Sequence, residues 1–300
     1  MRLSLKADRP LDKEVQRITS GYLVRAKTVL NEQPEGPHEA IHTARKQFKR
    51  IRSLYRLVAT ADPAFQKTEN ERIGALGRHL RESRDATSLV ETARRLADAA
   101  STTDEHMAVN RIHQRLIVRR DAIASTAATE ELIADALTTC DEALEAVARF
   151  RLDVGQSRAA EILGDGWRTT GKKAVTALRQ VKETGEADRF HSLRKRTQDR
   201  WVHCRFLVEA WPGALLSMRK QARQLVTLLG EKQDIALLTG FADAHPEEIG
   251  PPQDLAHLIA VMIAEERRLR AEALPLAKRL FPRDVRQDAA RITLLWRHAA

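Results

Sequence analysis

At 300 residues the chain can bury the core of one large or two ordinary domains. It is 43% hydrophobic and 31% charged, with 13 glycines and 10 prolines, a soluble, globular and strongly helical composition. Fifty-one Lys and Arg against 41 Asp and Glu leave a net charge of +10 and a pI near 9.9, which favours a polyanion as partner: nucleic acid, an acidic membrane surface or polyphosphate. Two cysteines, Cys140 and Cys204, are too few for a disulfide framework or a cysteine-based zinc site. No apolar run approaches the roughly 18 residues of a membrane span, and the first residues hold no apolar signal core. A cytoplasmic protein is expected.

The first helix is expected from Asp8 as N-cap, with Pro10 in its first turn, to about residue 30. A second follows from Pro37, and Asp62-Pro63 ends it and starts a third reaching Arg84. Asp85 can cap a fourth, ending near Ala99; two more are expected over residues 101–126 and 129–150. After Gly155 comes a helix ending at Thr184-Gly185, then a base-rich one from Glu186 to Trp211. Pro212-Gly213 opens a helix to about Gly230, followed by a short one over 232–242. A long helix reaches Leu280 with Pro275 inside it, and a last one runs from Arg283 to about His298. No segment alternates with period two, so no strand is expected.

The second helix is the unusual one. Wound at about 100° per residue, it places Arg45, Lys46, Lys49, Arg52 and Arg56 within roughly 80° of His42. Ala44, Phe48, Ile51, Leu54, Tyr55 and Val58 fall opposite. No carboxylate lies between His42 and Arg56. A solvated face normally mixes signs, because opposite pairs at i,i+4 help and like pairs cost. A one-signed face expects an anion.

The chain also repeats itself. Shifted by 149 residues, His42, Arg45, Lys46 and Arg56 fall on His191, Arg194, Lys195 and Arg205. Ala61, Pro63, Leu76, Leu80, Glu82, Asp85 and Leu89 fall on Ala210, Pro212, Leu225, Leu229, Glu231, Asp234 and Leu238. The copies are unequal: Gln198, Asp199 and Trp201 stand where the first copy has Lys49, Arg50 and Arg52, while Arg196, Arg200 and His203 project to the other side of that helix. Duplication of this size predicts an all-α fold of two similar helical bundles, residues 8–150 and 151–298, facing each other across a pseudo-two-fold axis. The two cationic helices are then equivalent elements, able to line one shared surface.

A helix reading His42-Thr43-Ala44-Arg45-Lys46 with Lys49, Arg50 and Arg52, followed by Arg84-Asp85, resembles the CHAD family, the conserved-histidine α-helical domain. The second copy, His191-Ser192-Leu193-Arg194-Lys195 with Gln233-Asp234, resembles it again, so the likeness covers nearly the whole chain. It implies two four-helix bundles around a basic cavity that binds inorganic polyphosphate.

The binding set expected is His42, Arg45, Lys46, Lys49, Arg50, Arg52 and Arg56 on one wall and His191, Arg194, Lys195 and Arg205 on the other, with Lys172, Lys173 and Arg179 as auxiliary contacts. Arginine offers planar forks to phosphate oxygens and lysine an adaptable point charge. Asp85 and Asp234 are expected to cap helices or orient bases. No cofactor, metal or catalytic residue is expected. His38-Glu39-Ala40-Ile41-His42 fits a zinc-protease pattern, but the surrounding cations disfavour a divalent metal, and the second copy has Ala187 in place of His38. Partners are polyphosphate and proteins of polyphosphate metabolism, with polyphosphate granules as the place of action. The alternative is non-specific nucleic-acid binding, which thirteen aromatics, few of them near the bases, do little to support.

Overall fold

Proline and aspartate start the helices much as their side chains dictate. In this computed structural model, residues 3–80, 82–123, 127–281 and 284–299 are described, without the side chains of 82–85, 123, 127 and 128. Twelve helices are found among them: α1 (Leu11–Glu32), α2 (Pro37–Leu57), α3 (Pro63–His79), α4 (Glu82–Ala99), α5 (Thr103–Ile123), α6 (Ala127–Arg149), α7 (Gln156–Thr184), α8 (Ala187–Phe206), α9 (Pro212–Ala244), α10 (Pro246–Ile249), α11 (Pro252–Leu280) and α12 (Val285–His298). No strand occurs among the described residues, so the fold is all-α. Asp62 caps α3 by accepting from the Phe65 N–H at 2.9 Å, with Pro63 in the first turn. Asp284 caps α12 in the same way through Gln287 at 2.9 Å.

Three boundaries differ from expectation. Pro10 rather than Asp8 holds the cap position of α1, without a side-chain cap bond. The third helix stops at His79 and α4 begins at Glu82, so Asp85 lies inside α4, not before it; its side chain is outside the described residues. The expected break at Gly230 does not form, and α9 runs unbroken for 33 residues. One mid-helix glycine costs about 1 kcal/mol. Burying Leu228, Leu229, Ile235 and Leu238 on one continuous face outweighs that.

Two hydrophobic cores result, and neither is built from one half of the chain alone. The first gathers α1, α2, α3 and α6 around Leu23, Phe48, Ile51, Tyr55 and Ile73, and is completed by Ile162, Leu163 and Trp167 of α7, Phe206 of α8 and Trp296 of α12. The second joins Leu96 of α4 and Ile112 of α5 to Leu178, Leu193, Leu225, Leu238, Leu258 and Leu269 from the later helices. After α3 the chain crosses to the second core through α4 and α5, then returns in α6. The boundary at residue 150 therefore divides the sequence but not the packing. At the junction of the cores, α2 packs directly against α8.

Candidate functional site: a cationic cavity between α2 and α8

Where α2 meets α8, the apolar faces are spent on the two cores and the basic faces are left to each other. They enclose a cavity of about 700 Å³. Its α2 wall carries Arg45, Lys49, Arg52 and Arg56; its α8 wall carries His191, Arg194, Lys195 and Arg196. Arg78 enters from the last turn of α3, and Gln233 and Asp234 from α9. Among the described residues that line it, eight Lys and Arg face two carboxylates, Asp188 and Asp234.

Glycines on the flanking helices let the arginines lie flat. A Cβ at Gly74 would meet the Arg52 guanidinium carbon at 3.1 Å, and one at Gly230 would meet Arg194 Nη2 at 3.2 Å. The glycine within α9 thus makes room for a cavity arginine. Arg45 donates to the carbonyl of Gly77 in α3. Arg52 and Arg56 both donate to Asn70 Oδ1, at 3.1 and 3.2 Å. Burial, then repulsion from Arg56 and Arg78, lowers the Arg52 pKa to about 10, which leaves it charged at neutral pH.

Asp199 anchors the floor. Its side chain is fully buried; Oδ1 accepts from Ser53 Oγ at 2.8 Å and from Arg56 Nε and Nη2 at 2.9 and 2.6 Å. Arg196 lies 3.1 Å from the other oxygen. Burial opposes the charge on Asp199, but Arg56 and Arg196 outweigh it and hold the carboxyl below its ordinary pKa. Behind them, the buried His203 donates through Nε2 to the Ser53 carbonyl at 2.9 Å. Burial lowers its pKa to about 4, so it is neutral.

Of the expected set, Arg45, Lys49, Arg52, Arg56, His191, Arg194 and Lys195 are brought together here. His42, Lys46, Arg50, Arg205, Lys172, Lys173 and Arg179 are not among the lining residues. Lys46 is exposed, its Nζ 3.8 Å from Glu39. Arg179 is exposed with Glu183 at 3.8 Å, and Lys172 and Lys173 are exposed too, because the other face of α7 is buried. Arg50 sits over the ring of Tyr22, 5.6 Å from its centroid, in the surroundings of Arg205. Arg200 is core, stacked 3.6 Å from the Trp167 ring centroid with Asp288 at 3.3 Å.

Sequence reading missed Arg78 and placed Arg196 on the far side of α8. The i,i+3 spacing of Arg196 and Asp199 was the available signal, since that pair turns the guanidinium into the cavity floor. His38 and His42 fall in no group of metal-ligand side chains among the described residues; the group found there is His245, Glu247 and Glu248, in and beside α10. No helix among the described residues is long and apolar enough to cross a membrane.

These features define an all-helical protein with a polycationic cavity at the meeting of two like helices. Residues 23–243, from within α1 to the end of α9, match the family model of the CHAD domain. The chain belongs to that family. Its fold is similar to the crystal structure of the CHAD domain from the plant Ricinus communis, at 17% identity and a TM-score of 0.52 over 97% of this chain and 94% of that one. No curated protein matches the sequence.

Proposed function

We propose that the cavity binds inorganic polyphosphate and that the protein acts as a binding module, not an enzyme. The observation that carries the reading is the pair of cationic walls on α2 and α8, joined by Arg78 and Arg196. Polyphosphate carries about one negative charge per internal phosphate and no bases, so it asks for closely spaced cations and nothing to stack on. Of Phe, Tyr and Trp, Phe48 alone is among the described lining residues, and it is itself buried and offers no stacking platform for a nucleic-acid base. Family membership supports the same substrate class. The 149-residue repeat further supports a pseudo-two-fold relation between residues 8–150 and 151–298, with the cavity on the axis. We place the protein in the cytoplasm at polyphosphate granules.

The test is polyphosphate binding by the wild type and by an Arg45→Glu/Arg194→Glu variant. Each reversal removes at least one charge-assisted contact, so affinity should fall about a thousandfold. It should also fall steeply with salt in the wild type. Unchanged affinity in the variant would sink the site. Displacement by duplex DNA at equal phosphate concentration would favour the nucleic-acid reading, and phosphate release with Mg²⁺ or Mn²⁺ would overturn the non-enzymatic one.

A further inference from the structure

The cavity gathers like charges, and something has to hold them in place. Arg52 is half-buried and is repelled by Arg56 and by Arg78. A guanidinium on a flexible stem relieves such repulsion by swinging out to water. Bringing it back to meet a ligand then costs side-chain entropy.

Two acceptors of different kinds oppose that escape. On α3, Asn70 Oδ1 accepts from Arg52 Nε at 3.1 Å and from Arg56 Nη1 at 3.2 Å, so one amide oxygen bridges two side chains of α2. Gly74, also on α3, leaves the space that the Arg52 guanidinium occupies. On α8, the buried Asp199 accepts from Arg56 Nε and Nη2 at 2.9 and 2.6 Å and lies 3.1 Å from Arg196. Ser53 Oγ donates to the same carboxylate at 2.8 Å and fixes it in turn. The amide carries no charge, so it orders Arg52 and Arg56 without cancelling charge that an anion needs. The carboxylate does cancel a charge, which would make it a poor choice beneath an anion site if charge alone decided affinity.

We propose that Asn70 and Asp199 are positioning residues for the cavity: they hold the guanidiniums of Arg52, Arg56 and Arg196 where these donate to phosphate oxygens, and affinity depends on that order more than on net charge. The proposal rests on the polyphosphate-binding reading of the cavity. A fork already held in place loses little freedom on engaging an oxyanion, and its two parallel hydrogen bonds form only if it is turned correctly.

Asn70→Ala separates order from charge. It leaves the net charge unchanged and puts a better helix former in the middle of α3, so the variant should fold with an unchanged or raised urea midpoint. Its polyphosphate affinity, measured by titration calorimetry, should nevertheless fall about tenfold as two arginines are loosened. Asp199→Asn should bind no more tightly than the wild type, although its cavity gains a positive charge; should that variant not fold, Asn70→Ala decides alone. Arginine order is also read without ligand, in ¹⁵N-arginine-labelled protein assigned with Arg52→Lys and Arg56→Lys. In Asn70→Ala the Arg52 Nε–H should exchange faster with solvent, while the Arg56 Nε–H, still bound to Asp199, stays slow. Failure of the wild type to bind polyphosphate would overturn the function of the cavity itself, and the exchange contrast would still report whether the two acceptors order the arginines. The positioning proposal is overturned by wild-type affinity in Asn70→Ala, by tighter binding in Asp199→Asn, or by an Arg52 Nε–H that exchanges no faster.

Discussion

Arg56 and Arg205 occupy equivalent places in the repeat, yet their settings are opposite. Around Arg56 the chain supplies a buried carboxylate, a hydroxyl and an amide: Asp199, Ser53 and Asn70. Around Arg205 the same places hold Arg50, Val202 and Arg219, and Trp201 stands where the first lobe has Arg52. The first lobe opens into the cavity and contributes Arg52, Arg56 and Arg78 to it; Arg205 is not among the lining residues. The contrast shows how duplication can divide labour. Asp199, reaching across from the second copy, holds Arg56 as part of a wall, whereas the places equivalent to Asp199 and Asn70 carry arginine.

The sharpest way to break this comparison is at the internal carboxylate. Asp199→Asn strips the counter-charge from Arg56 and Arg196 at a fully buried position, and should cost about 3–5 kcal/mol in urea unfolding. Arg50→Ala, at the equivalent position, removes a repulsive neighbour and should cost far less. Equal costs would mean the two lobes are not electrostatically distinct.

The pH dependence of stability should follow the same lobe. His203 has its pKa lowered from 6.5 to about 4 by burial, so the unfolded chain binds its proton more readily than the folded one. Its contribution is complete above pH 6.5 and is lost as pH falls toward 4, amounting to about 3 kcal/mol. Asp199, held below its ordinary pKa of 3.8, adds loss in the same direction at still lower pH. His203→Gln should flatten the upper part of the curve, and denaturant midpoints measured from pH 7 to 4 read it directly.

The smallest effect is expected from restoring symmetry. Arg50→Asp gives Arg205 the partner that Arg56 already has, and on a half-buried pair should add no more than about 1 kcal/mol of stability. Urea unfolding measures it, and a loss of stability would mean that position 50 does not face Arg205 as Asp199 faces Arg56.

Much of the site was legible without coordinates. The one-signed face of α2 and its echo in α8 come from residue spacing alone, and seven of the expected residues line the cavity. Arg50 is not among the lining residues, because a helical wheel shows that a residue is polar-facing, not which neighbour that sector meets. In α2 the sector holding Arg50 looks toward Tyr22 of α1 and the sector holding Arg45 and Lys49 toward α8. Arg78 carries no periodic signal and enters only because α3 ends beside the cavity. The unbroken α9 was hidden because Gly230 reads locally as a helix end, whereas its neighbours are held in register by the second core.

By itself, then, the sequence determined an all-helical chain and two unequal copies of a basic helix. Those follow from propensity and spacing, which act within a few turns. Tertiary structure alone decided which arginines face one another, because Asp199 reaches Arg56 and Ser53 from the other copy of the repeat. It also decided that the two copies share their cores, since α4 and α5 bury their apolar faces against α9 and α11. Charge compensation over such separations depends on burial and distance, and neither is written in local pattern.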